Sequence, residues 1–140
     1  MTYQESSHFH PHRTHWQDWL NVALAVWFFL SPWILQFGGV RSFTAPEMNA
    51  AWNAWVLGAL VFVVSFWAAS GETPWPEWLN LALAVWIFVA PWVIGFAYGT
   101  SPAAAWDHWI TGAIIGVSAL WNVSSAAGTM TQERHPPPRG

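Results

Sequence analysis

The densest set of side chains able to do chemistry lies in the first fifteen residues, where His8, His10, His12 and His15 alternate with other residue types. Clustered imidazoles are ligands for Zn, Cu and Ni. A specific centre also needs partners that orient each ring, and none is apparent in this polar stretch. The segment therefore reads as a solvated tail or a contact with a partner, and no metal site is expected. His108, beside Asp107 near the start of a later apolar segment, suits an interfacial hydrogen-bonding role. The chain has no cysteine, which removes disulfides, thiol redox chemistry and iron–sulfur ligation. No His, Asp, Glu, Lys or Arg falls at the middle of an apolar segment. A bis-His haem, an axial ligand for a chlorophyll, a proton relay and an ion-coupled pump all call for such groups. No catalytic residue is expected, and the chain reads as a non-enzyme.

Trp27 and Trp86 are the remaining candidates. Each sits about ten residues into its segment, roughly 15 Å along a helix, where an indole N–H without a partner costs free energy. Packing against the other half of the molecule is the preferred reading. The alternative is stacking on a lipid, quinone or pigment; no cofactor is required by the sequence.

The elements that would position these residues follow from the distribution of charge. Hydrophobic residues make up 54% of the 140-residue chain and charged residues 8%, against roughly 25% in an ordinary soluble domain. The intervals Asp18 to Arg41, Glu47 to Glu72, Glu77 to Asp107 and Asp107 to Glu133 carry no charge. Each exceeds the ~20 residues that a helix needs to cross a bilayer. The spacing predicts four transmembrane helices near residues 17–37, 46–69, 76–97 and 102–125. With four Arg, no Lys and a net charge of -3, nucleic acid is not an expected partner. Three Arg (Arg13, Arg134, Arg139) fall on the side of the termini and one (Arg41) on the other, which predicts cytoplasmic termini.

The chain repeats itself. Trp16-Gln17-Asp18-Trp19-Leu20-Asn21 aligns with Trp75-Pro76-Glu77-Trp78-Leu79-Asn80, and the register holds to Phe37 against Phe96. Ala51-Trp52-Asn53-Ala54-Trp55 aligns with Ala105-Trp106-Asp107-His108-Trp109, and Trp67 with Trp121. The first offset is 59 residues and the second 54, so the connecting loop of the first unit is five residues longer. The organisation predicted is a polar tail (1–15), one two-helix repeat (16–69), a second (70–126) and a Pro-rich tail (127–140). Two spans per unit make the repeats parallel rather than inverted. Of the fourteen Trp, twelve lie at predicted helix ends, where amphipathic indole anchors at the headgroup level.

Ser31-Pro32-Trp33 and Ala90-Pro91-Trp92 close the first and third spans. Each Pro removes a backbone donor and displaces the carbonyl four residues before it, that of Phe28 or Ile87, so a kink or an early helix end is predicted. Ser31 is expected to bond back to the carbonyl of Trp27. With the Trp-Leu-Asn helix starts at 19–21 and 78–80, these motifs make the chain resemble the SPW-repeat family of prokaryotic membrane proteins over nearly all of residues 16–122. Ala90 departs from the motif. The resemblance implies a small multi-span protein of the prokaryotic inner membrane and no assigned activity.

Helix packing is expected from Asn21 and Asn80, which can hydrogen-bond between helices, and from the small residues Ala54, Gly58, Gly112 and Gly116, which let backbones approach. The functional expectation is a non-catalytic accessory subunit that stabilises a larger membrane complex, respiratory or photosynthetic. The lipid bilayer and other membrane subunits are its expected partners, and a small channel or carrier is the alternative.

Overall fold

The computed structural model describes residues 16–38, 45–70, 75–98 and 101–134, with side chains to residue 125. Among these residues the fold is all-helical: α1 (Trp16–Ile34), α2 (Ala45–Ser70), α3 (Trp75–Ile94) and α4 (Pro102–Arg134). The His cluster at positions 8–15 and most of the Pro-rich tail lie outside the described residues.

The helices form a ring in which each packs on its chain neighbours, α4 closes onto α1, and α2 touches α4 across the middle. The tightest pairings are α1 with α2 and α3 with α4, which are the two sequence repeats. Both pairs are built around a glycine. A side-chain carbon at Gly58 would stand 2.9 Å from the backbone nitrogen of Phe29, and one at Gly112 would stand 2.8 Å from that of Phe88. Phe29 and Phe88 are themselves repeat equivalents, so the same close crossing is made twice.

Helix ends follow local chemistry. Ser101 precedes Pro102, an N-cap residue followed by a ring already set for the first helical turn. The carbonyl of Ser101 accepts from the Ala105 amide at 3.2 Å. α1 and α3 stop at Ile34 and Ile94, three residues short of the predicted ends. Pro32 and Pro91 lie in the last turn and the ladder runs past them, with the Leu35 amide on the Ser31 carbonyl at 2.7 Å and the Gly95 amide on the Pro91 carbonyl at 3.2 Å; the stop comes at the left-handed residues that follow. In α1 the chain turns through Gln36, at φ 59°, and the Phe37 amide returns to the Pro32 carbonyl at 3.1 Å, a Schellman-type closure. In α3 the equivalent turn residue is Gly95, at φ 91°, and the Ala97 amide returns to the Pro91 carbonyl at 2.8 Å. Both turns tuck a Phe, Phe37 or Phe96, into the interior. The fourth helix runs on to Arg134, nine residues past its predicted end and into the segment assigned from sequence to the C-terminal tail.

α2 and α3 are long and apolar enough to cross a membrane. Only 39% and 28% of their apolar windows are buried inside the protein, so most of that surface faces outward, as a core helix of a soluble domain would not. α1 ends at Ile34 and carries Gln17, Asp18 and Asn21 in its first two turns; two of these, Asp18 and Asn21, are buried within the bundle.

Candidate functional site at the seam between the repeats

The interior has three layers. At the end where the chain enters α1 and α3, polar groups meet. Glu77 comes within hydrogen-bonding reach of Asp18 and Asn122, and the Asn122 amide donates to Asp18 Oδ1 at 3.0 Å. One turn deeper, the Ser118 hydroxyl donates to Asn21 Oδ1 at 2.5 Å and the Ser65 hydroxyl to Asn80 Oδ1 at 3.3 Å. Asp18 and Glu77 are repeat equivalents, as are Asn21 and Asn80. Each Asn bonds to the second helix of the other repeat. The amide nitrogens of both Asn are buried without a partner among the described residues.

The middle layer is apolar. Ala25, Phe28, Ala54, Leu57, Val61, Ala84, Ile87 and Ile115 form one buried cluster, and it closes the polar layer off from the far end. Beyond it a second cluster gathers Phe37, Ala50, Ala51, Ala90, Phe96, Ala104 and Ala105.

Asp107 occupies the seam at the far side. Its Oδ1 accepts from the Trp27 indole at 3.0 Å, and its Oδ2 accepts from the Ser31 hydroxyl at 2.6 Å. The same hydroxyl lies 2.8 Å from the carbonyl of Phe28. Ser31 thus serves the carbonyl that Pro32 frees, not that of Trp27 as the sequence suggested, and links it to α4. Asp107 is only 6% exposed. Its partner Trp27 lies seven residues before the end of α1, about 10 Å along the axis, so the carboxyl is drawn well inside the bundle.

The other repeat makes the same bond in neutral form. Trp86 donates its indole N–H to Asn53 Oδ1 at 3.1 Å. Trp27 corresponds to Trp86, and Asp107 to Asn53. The deep tryptophans therefore bond across the seam, and both rings remain about two-fifths exposed at the outer surface. Where Ser31 gives way to Ala90, the acceptor changes from Asp to Asn. A carboxylate accepts at both oxygens, whereas an amide has one accepting oxygen, and the number of available donors changes to match.

His108 is fully buried within the bundle. Its ring packs edge-on against Phe28 and Phe96, with centroids 4.7 and 4.8 Å away. Nδ1 donates to the Ala104 carbonyl at 2.8 Å, and Nε2 has no partner among the described residues. Among the described residues no three His, Asp or Glu side chains gather to hold a metal ion.

The motif tryptophans lie in two matching ring ladders. Trp33 packs on Phe29 and stacks on Trp55, which meets Trp52 edge-on. Trp92 repeats this with Phe88, Trp109 and Trp106. The Trp33–Trp55 and Trp92–Trp109 centroids are both 5.1 Å apart. The Ser-Pro-Trp motif is thus the join between the two helices of a unit: the proline sits in the last turn of the helix and the indole locks onto the next one.

Among solved structures and curated proteins, no match to this chain was found. A match to the SPW repeat domain extends over residues 15–122, from just before α1 to the Asn that meets Asp18. That match covers both tandem helix pairs, and the chain belongs to the SPW repeat family.

Proposed function

We propose that this chain is a four-span protein of the prokaryotic inner membrane, with cytoplasmic termini, that serves as a non-catalytic accessory subunit of a larger membrane assembly. α2 and α3 have the length and apolarity of spans. α1 and α4 complete the ring beside them and carry outward-facing Val26, Phe29, Leu30, Ile110, Val117 and Leu120. The observation that carries the reading is the apolar middle layer around Phe28, Val61, Ile87 and Ile115. It fills the centre of the bundle, and the polar side chains above and below it hold one repeat to the other.

Extraction from native membranes in mild detergent, with mass spectrometry and an absorption spectrum of the intact particle, tests this. Migration with a large complex supports it and names the partner. Migration alone as a colourless particle overturns it. A carrier is the second reading, favoured by the polar layer of Asp18, Glu77, Asn21 and Asn80, which leads into the bundle from one end. Solute flux in proteoliposomes, abolished by Asn21→Leu, would establish that reading.

A further inference from the structure

A groove of about 420 Å³ opens between α1 and α4 on the outer face of the seam. Leu24, Leu35 and Ile110 form its apolar walls, Trp27 and Trp106 flank it, and Asp107 is among its lining residues. Its volume falls within the roughly 300–1,000 Å³ of small-molecule sites. From this arrangement we infer a binding site for a hydrophobic organic cation: an ammonium or phosphonium carrying apolar substituents.

Three features select that chemistry. The Asp107 carboxyl lies in a groove whose lining is otherwise mostly apolar, and the two side chains that donate to it, Trp27 and Ser31, are neutral. No Lys or Arg is present among the residues whose side chains are described. Trp27 and Trp106 present indole rings that remain 42% and 60% exposed, and indole faces attract cations, quaternary ammonium groups above all. The apolar walls reject a small hydrated ion, which would have to leave its water without replacement ligands.

The lining argues for a free cation rather than a lipid headgroup. It holds one carboxyl and no basic side chain, so the phosphate that accompanies a headgroup amine would find no cation to pair with and would face Asp107 instead. The second repeat supplies an internal control, because Asn53 accepts from Trp86 at the equivalent place without a carboxyl. The inference does not depend on the accessory-subunit reading, since a partner could cover other faces and leave this one open.

The test uses the purified full-length protein in dodecyl maltoside and tetraphenylphosphonium as the probe, followed by quenching of tryptophan fluorescence. Saturable quenching is expected, with affinity at least about tenfold weaker in Asp107→Asn and about threefold weaker in Trp106→Leu. Trp52→Leu, at the equivalent position of the other repeat, should bind as the parent does. Trp106 is exposed, so its variant decides the matter even where Asp107→Asn fails to fold. Equal binding of tetraphenylborate, the anion of the same shape, would overturn the site. So would unchanged affinity in Trp106→Leu, or displacement of the probe by phosphocholine.

Discussion

The indole N–H of Trp27 reaches across the seam to Oδ1 of Asp107 at 3.0 Å, joining the first helix of one repeat to the second helix of the other. The reciprocal bond, Trp86 to Asn53 at 3.1 Å, joins the remaining two helices. The acceptors differ in charge, and that difference sets the first prediction. Trp27→Phe leaves a buried carboxyl short of a donor and should lower stability by about 2 kcal/mol, whereas Trp86→Phe, against a neutral amide, should cost about 1 kcal/mol. Unfolding of the two variants in mixed detergent micelles, on one scale, checks the order.

The co-occurrence of Ser31 with Asp107, and of Ala90 with Asn53, predicts energetic coupling. Asn53→Asp alone should destabilise, because the new carboxylate has the Trp86 indole as a donor but no serine hydroxyl. Adding Ala90→Ser should recover about 1 kcal/mol or more, because the hydroxyl then stands where Ser31 stands in the first repeat. A double-mutant cycle reads this term directly, and additive single effects would remove the link.

The glycine crossings should respond alike. Gly58→Ala and Gly112→Ala each bring a methyl group to within about 3 Å of backbone on the facing helix, where no flexible side chain can give way. Each should cost about 1–3 kcal/mol, with loss of the α1–α2 contact in one case and the α3–α4 contact in the other. Cysteine cross-linking between the paired helices distinguishes the two, since the chain has no cysteine of its own.

The turn after α1 offers a gain. Gln36 holds φ 59° where the second repeat has Gly95. A non-glycine residue in the left-handed region carries a strain of about 1 kcal/mol or more. Gln36→Gly should therefore raise thermal stability, and Gly95→Gln should lower it by a similar amount.

The helices, their pairing into repeats and the early ends of α1 and α3 were legible because they arise from local signals: charge-free intervals, a fixed offset and a proline in the last helical turn. The seam was not. Ser31 and Asp107 are 76 positions apart, and nothing within either segment specifies the other. Asp107 reads from its own segment as a helix-start residue, and nothing along α4 reveals its burial against Trp27 and Ser31. The burial of His108 against Phe28 and Phe96 is equally invisible along its own helix. The polar layer was half visible: the equivalence of Asn21 and Asn80 pointed to similar partners, but Ser65 and Ser118 sit at non-equivalent positions of their helices, so repetition could not find them. The run of α4 to Arg134 was missed because its polar last turns gave no apolar period to follow.

The reciprocity of the seam bears on how such a chain could have arisen. Within one unit, Trp27 is a donor facing outward from the first helix, and Asn53 is an acceptor of the required kind on the second. Two identical copies of residues 16–70 would present each other with both halves of the contact, as subunits do in an isologous homodimer. The covalent chain is thus laid out as a tethered dimer, and the tether lets one half carry a carboxyl where its twin carries a neutral amide.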